Sequence, residues 1–567
     1  MRAFRISSGP RFRAHEVSLL PPLLSRRAEA PVEEGVAHPP RTPFVRLGVA
    51  GAVLTFLVLA GLHAWTTPLF SPPDEASHYG YALLLSSGRL PTITTQIPTD
   101  GVPQLRARME RRDKVHRTVW TANHPPLYYA LMAAPVRIGI LAGHPMAGLR
   151  LARLLSVAIG AVGIVLLALL IGELVTGRPE LVVAAAGVTA VVPSFVANSA
   201  WFYNDSLGFV TSTAALLAGV RFLVRGPSRG RLALVAVTAA LAALTRASGL
   251  VVTAIVVVAV LVGVWRHGRV AGRRPVTAAV WQAGLVAAAV AVTSGWFYLR
   301  NYGLYGDFTG ATALFDQFHR VSPGSVLDVA RVRGYWINQA KRFWDSSYDL
   351  RVTSGNRVHK VWWVGALPTL GVVVFALRRL GRFAWRQAGI RDVPGPPPGG
   401  AGGAAGARGA RRVALVLLAG LLVLLELLLV KFTSSGGGPH IRYLFPDMTV
   451  LALGAALGLA SLPGGRRGLP TVAMLSAAVA INLWLLHVLL WATVRPPGGR
   501  GVFKAALAGA GLPADPLVVL ALCGLLLAAA LALQALALWA LGRRDDLPAS
   551  SAALEFDESP MVVTPPA

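Results

Sequence analysis

Residues 276–298 read VTAAVWQAGLVAAAVAVTSGWFY, 23 residues without one charged side chain. Coiled as an α-helix they reach about 35 Å, enough to cross the roughly 30 Å hydrocarbon core of a bilayer. Eleven further apolar runs fall near 44–65, 151–172, 181–199, 206–224, 232–246, 248–265, 361–377, 413–431, 443–462, 470–491 and 517–541. Of the 567 residues 54 % are hydrophobic and only 14 % charged, where a soluble domain carries about 25 % charged residues. The mean hydropathy of +0.57 agrees. A soluble enzyme, a coiled coil and a disordered chain are excluded. The expected fold is all-α: a polytopic helical membrane protein of about twelve transmembrane helices.

The net charge of +28 suggests nucleic acid at first sight, yet only five of the 54 basic residues are lysines. The Arg, Ala, Gly and Pro bias is that of a GC-rich bacterial genome, and in a membrane protein basic residues report sidedness. No nucleic-acid partner is expected. The one cysteine, Cys523, lies in an apolar run, which excludes an intrachain disulfide and a cysteine-ligated metal.

Sidedness sets the topology. Residues 1–43 are polar and rich in Arg and Pro, and read as a disordered cytoplasmic tail. The run at 44–65 is an uncleaved anchor. The ambiguous segment 127–143 is short and holds Pro135 and Arg137. If it spans, the Arg-rich turns at 225–231, 266–274 and 378–412 fall outside. If it lies on the surface as an interfacial helix (124–143), these turns become cytoplasmic, together with Arg466, Arg467, Arg543 and Arg544. The second arrangement is taken. It gives a core over 44–491 with a long first external loop (66–150), and a cytoplasmic linker (378–412) whose part 392–412 is flexible. An external loop and a last helix follow over 492–541, then a cytoplasmic tail over 542–567. The short run 232–246 forms a tight hairpin with the next through residues 245–249.

With this topology the polar clusters gather at the external ends: PPDEASHY (72–79), HPPLYY (124–129), YNDS (203–206), Thr245-Arg246, Arg300-Asn301 with Tyr305-Gly306-Asp307, and His440-Ile441-Arg442-Tyr443. Asp74 and Glu75 follow two prolines and sit at the start of a helix, with Ser77 and His78 on the Asp74 face. A carboxylate at a membrane boundary with a histidine one turn later can act as a general base with an orienting partner. Solvated acids at a helix N-terminus are the plainer reading of the local spacing. Asp205 or Ser206 also reads as an N-cap, and His124 as part of a helix-entry turn. Snorkelling is the plain reading of Arg246, Arg300 and Arg442 taken singly. Converging, the three would hold a phosphate through their guanidinium forks. Glu426 and Lys431, inside or at the end of one run, are suspects by position. The chain has no P-loop, no zinc-protease helix and no Gly-x-Ser-x-Gly elbow.

The order of these motifs resembles the GT-C superfamily of membrane glycosyltransferases. The carriers are the acidic pair in the first external loop, His-Pro-Pro-Leu later in it, Asn204-Asp205, Thr-Arg-x-x-Gly, Trp296-x-x-x-Arg300-Asn301, and Arg442-Tyr443-Leu444-Phe445-Pro446. The resemblance covers about 50–490 and is nearest to the bacterial branch related to protein mannosyltransferases, including the DUF2142-like group with its Pro-Pro-Asp-Glu-x-x-His motif. It implies a hexosyl- or pentosyltransferase at the outer face of the bacterial cytoplasmic membrane. The donor would be a polyprenyl-phosphate sugar and the acceptor an envelope glycan, lipid or protein. By carry-over Asp74 is the base or metal-facing carboxylate, assisted by Glu75 or His78. Arg246, Arg300 and Arg442 hold the donor phosphate, and His124, Asn204, Asp205, Asn301 and Tyr443 line the substrate site. Some relatives use a divalent cation, for which Asp74, Glu75, His78 and Asp205 are the available ligands. Arg246 stands where the family more often has Lys. A polytopic transporter or lipid flippase of envelope precursors is the alternative. Against it stand the outward bias of the polar residues and the absence of a clear polar path through the spans.

Overall fold

The computed structural model describes residues 43–270, 275–344, 365, 368–377, 401–494, 501–511 and 514–544. Their regular structure is helical, and the one β-pairing among them is the Gln96–Thr118 bridge. What was expected of residues 1–42, 378–400 and 545–567 lies outside the described residues.

In chain order the first span is α1 (Pro43–Thr66). The first loop carries α2 (Glu75–Leu85), α3 (Pro103–Glu110) and α4 (Leu127–Leu141). There follow α5 (Pro145–Leu174), α6 (Pro179–Val191), α7 (Pro193–Ala200), α8 (Asp205–Arg225), α9 (Arg229–Thr245), α10 (Ser248–Val270) and α11 (Val276–Tyr305). A second loop holds α12 (Ala311–Gln317), α13 (Val326–Arg331) and α14 (Arg333–Trp344). The chain continues through α15 (Pro368–Leu377), α16 (Ala401–Ser434), a 3-10 turn Ile441–Asp447 leading into α17 (Met448–Ser461), α18 (Leu469–Val494), α19 (Val502–Gly509) and α20 (Pro516–Arg544).

The described residues of all twelve apolar runs fall mainly on helices, and the protein is a multi-pass membrane protein. By length and composition nine described helices can cross a bilayer, or ten if α6 and α7, bent by 60° at Pro193, count as one span. Proline at that point removes a ladder donor and forces the bend. The remaining two runs give α9, of 17 residues, and the short α15 (Pro368–Leu377), so a count of twelve spans is not reached by length alone among the described residues. Residues 401–412, expected in a flexible linker, belong instead to the continuous helix α16. At 15 residues α4 is about 22 Å long and too short to cross.

The α9–α10 hairpin turns as the spacing predicts. At Gly249 an added Cβ would lie 2.0 Å from the Ala242 carbonyl oxygen, so only glycine lets the two helices start this close. The opposite approach, α1 against α20, is held by Gln534, whose amide donates to the Thr55 hydroxyl at 3.1 Å.

The first loop is a folded cap. Tyr81 and Tyr129 stack at 3.8 Å between α2 and α4, and Val119 N–H donates to Thr95 O at 2.8 Å. The second loop clasps it: Tyr305 accepts from Ile93 N–H at 3.1 Å, and Asn123 donates to Thr309 O at 3.0 Å. The chain ends brought together here are the C-termini of α1, α7, α9 and α11 and the N-termini of α5, α8, α10 and α17, which alternation places at one end of the bundle.

Candidate active site

Two buried ion-pair systems occupy that end. The deeper joins Glu75 to Arg153 of α5, with neither side chain exposed to solvent. Arg153 Nε donates to one carboxylate oxygen of Glu75 at 2.7 Å and Nη2 to the other at 2.6 Å, the forked geometry that favours arginine. Phe70 N–H and Phe202 N–H complete the carboxylate shell at 2.7 and 3.1 Å. Arg153 Nη1 donates to the carbonyls of Ala64 and Thr67, so the pair fastens the end of α1, α5, the start of α2 and the 202 loop. Phe70 is drawn into the left-handed region, φ 61°, at a cost of about 1–2 kcal/mol that its bond to Glu75 offsets.

Glu75 therefore has no face turned to a substrate. The sequence placed it among catalytic groups; four donors and complete burial make it a positioning residue instead. Its partner Arg153 was missed. The available signal was a lone arginine inside the apolar run 151–172, a suspect by default in a membrane.

One residue before Glu75, Asp74 points the other way. It occupies the N-cap position of α2, but its side chain makes no capping bond and accepts from Arg442 Nη2 at 2.7 Å. Arg442 Nη1 lies 3.8 Å from Asp205 Oδ2, and Asp205 Oδ1 is paired with Arg246, whose Nη1 also donates to Asn204 Oδ1 at 3.1 Å. The result is an alternating chain, Asp74–Arg442–Asp205–Arg246, drawn from the first loop, the entry to α17, the start of α8 and the α9–α10 turn. Tyr443 lies under both guanidiniums, 5.6 Å from Arg246 and 5.9 Å from Arg442, and Tyr203 under Arg442 at 5.2 Å. Such faces favour cations. The Tyr203 hydroxyl also accepts from Asp74 N–H at 3.2 Å. Burial and the Asp74 carboxylate push the Tyr203 hydroxyl well above its usual pKa, so it stays protonated.

The histidines line the wall of this cluster. His78 Nδ1 shares a hydrogen bond with the Tyr129 hydroxyl at 2.9 Å, and its ring lies 5.0 Å from Tyr203 and 6.3 Å from His124. Burial, then the neighbouring His124, Arg442 and Arg246, holds His78 well below the ordinary histidine range. Burial and the same two arginines lower His124 to about 3. Both are neutral at physiological pH.

Arg300 and Asn301 stand apart from the pair of convergent arginines. Arg300 donates to Pro91 O at 2.6 Å, and Asn301 to Asn123 O at 3.1 Å. They brace the first-loop backbone beside His124. Two of the three arginines converge, and the third does not.

The candidate cation ligands Asp74, Glu75, His78 and Asp205 do not fit a metal. No group of three or more His, Cys, Asp or Glu able to hold one occurs among the described residues. The reason is electrostatic: Glu75 is committed to Arg153, and Asp74 and Asp205 face guanidiniums.

No family model matches the sequence, and no curated protein matches it. Among solved structures the chain is similar to ArnT from Cupriavidus metallidurans bound to undecaprenyl phosphate, at 15 % identity over 88 % of this chain and 78 % of that one, TM-score 0.39. It is similar to the oligosaccharyltransferase of Archaeoglobus fulgidus in the apo form, at 15 % identity, 88 % and 59 % coverage and TM-score 0.35. The oligosaccharyltransferase AglB of Archaeoglobus fulgidus, in complex with an inhibitory peptide and a dolichol-phosphate, follows at 16 % identity, 87 % and 56 % coverage and TM-score 0.31. The chain spans a little over half the length of these two archaeal structures.

Proposed function

We propose that this chain is a GT-C-type glycosyltransferase that moves a hexosyl or pentosyl group from a polyprenyl-phosphate donor to an envelope acceptor at the outer face of the bacterial cytoplasmic membrane. The observation that carries the proposal is the Asp74–Arg442–Asp205–Arg246 chain. It combines one carboxylate suited to proton abstraction with two guanidiniums suited to phosphate, at one end of a membrane bundle.

In the free protein each guanidinium is neutralised by a carboxylate. A lipid phosphate entering at the bilayer edge competes for Arg442 and Arg246; the Nε of Arg442 is buried without a hydrogen-bond partner in the protein, a donor left over for such a ligand. Asp74 is then released toward the acceptor. Its carboxylate takes the proton of the acceptor hydroxyl as that oxygen bonds to the anomeric carbon. The bond from that carbon to the phosphate oxygen breaks, and its electron pair leaves with the lipid phosphate. The two arginines stabilise the charge that grows there, and the proton on Asp74 passes to water. Phosphate is a good leaving group, so a single base suffices.

The orientation rests on charge. The turns holding Arg225, Arg229, Arg231, Arg269, Arg467 and Arg543 lie at the end opposite Asp74, which the positive-inside rule assigns to the cytoplasm together with both termini. The test uses the purified chain in sealed vesicles with polyprenyl phosphate carrying a labelled sugar and extracts of envelope acceptors. Appearance of a labelled, acceptor-linked product supports the proposal. Counterflow of a soluble substrate without any glycosylated product would make the chain a transporter.

A further inference from the structure

The first loop holds a concentration of positive charge that the chemistry at Asp74 does not use. Between residues 103 and 117 stand Arg106, Arg108, Arg111, Arg112, Lys114 and Arg117, against Glu110 and Asp113. Asp113 is taken by His116, and Arg106 pairs with Asp100 at 2.9 Å. Arg117 turns to the backbone, donating to Arg112 O at 2.8 Å and to Glu110 O at 3.2 Å. Arg108, Arg111, Arg112 and Lys114 have no carboxylate within ion-pair reach among the described residues. Arg108 is half-buried with its Nε unpartnered, and burial together with the neighbouring Arg112 and Arg111 lowers its pKa from the usual arginine value. Like charges packed this way repel, and an anion between them would relieve the repulsion.

The second loop adds to the same face. Gln317 donates to the Thr118 hydroxyl at 2.9 Å, and the Phe318 ring meets His116 and Trp120 edge-on at 5.1 and 5.8 Å. That contact carries the exposed Arg320, 5.9 Å from Phe318, to the edge of the patch. The basic face thus belongs to the folded cap over the Asp74 cluster.

We propose that this face docks a water-borne polyanion, a polymer whose negative charge repeats along its chain, and that this polymer is the acceptor. The proposal rests on the glycosyltransferase reading for the word acceptor and on the surface itself for the binding. A bilayer is disfavoured as the partner by side-chain chemistry. No large apolar residue is exposed between residues 99 and 120, whereas α4 exposes Leu131, Ile138 and Leu141 and α14 exposes Trp336 and Ile337. A helix that lies in a membrane surface needs such an apolar face, and α3 lacks one.

The test reads binding without any sugar transfer, so a chain inactive as a transferase can still pass it. The full-length protein is placed in phosphatidylcholine nanodiscs and titrated with fluorescent inorganic polyphosphate. Affinity is expected to fall about tenfold or more between 50 and 200 mM salt, the mark of counterion release. The triple substitution Arg108→Gln, Arg111→Gln, Arg112→Gln should weaken binding by about tenfold or more on the same grounds. Arg108→Lys, Arg111→Lys, Arg112→Lys should largely keep it, which separates loss of charge from loss of fold. Equal binding by wild type and the Gln variant overturns the proposal. So does capture of phosphatidylglycerol vesicles without capture of polyphosphate, which would make the face a membrane anchor.

Discussion

Arg153 grips Glu75 through two parallel hydrogen bonds of 2.7 and 2.6 Å, and neither side chain has any solvent exposure. The pair is 78 residues apart in sequence and lies beside the residue proposed as the base. Removing one partner leaves a charge buried alone. Glu75→Ala and Arg153→Met should each lower stability by about 3–5 kcal/mol. Combining the two should cost clearly less than their sum. Thermal unfolding of the detergent-solubilised protein measures both.

Arg442 and Arg246 share Asp205 and the Tyr443 ring, so their loss should be felt by the phosphate of the donor. Arg442→Gln should lower kcat/KM by about 10²–10³-fold, the scale of one lost donor to developing charge. Arg442→Lys should recover part of it, since a point charge replaces a fork. Arg300→Gln, at the Pro91 brace, should act on stability more than on donor KM. Steady-state kinetics with varied donor separates the three.

The helix that presents Asp205 also limits where Arg246 can lie. At Gly208 an added Cβ would sit 2.7 Å from the Arg246 Cδ. Gly208→Ala should push the guanidinium off Asp205 and raise donor KM several-fold. Its Tm should also fall, because the displaced guanidinium leaves Asp205 with a weakened buried pair. An unchanged KM would contradict the packing described.

Buried neutral histidines make stability depend on pH with a definite sign. The unfolded chain protonates His78 and His124 near 6.5, while the folded chain resists, His124 down to about 3. Between those values the unfolded state binds more protons. Their contribution to stability is full above about 6.5 and declines as pH falls toward 3. Tm measured from pH 7.5 to 4.5 should fall, and His78→Asn with His124→Asn should flatten the slope.

The membrane fold was legible because runs such as 276–298 need nothing but their own hydropathy to declare themselves. The α9–α10 hairpin was readable from a short run and a glycine. The candidate cluster was readable only as a list of polar helix ends on one side; its pairings were not. Asp74 finds Arg442 across 368 residues, and no local period encodes that. Glu75 and Asp74 are neighbours in sequence and look alike, yet the backbone at the start of α2 sends one to Arg153 and the other to Arg442. Arg300 resembled the other two arginines by position, but the folding of the first loop gave it a carbonyl to hold.

The central claim is that Asp74 removes the acceptor proton, and Asp74→Asn tests it most directly. Asparagine keeps the size of the side chain and an oxygen for Arg442 while removing the basicity. In vesicles supplied with labelled polyprenyl-phosphate sugar, kcat for transfer should fall by about 10²–10⁴-fold with donor KM near wild type. Transfer by the Asn variant at the wild-type rate would contradict the account.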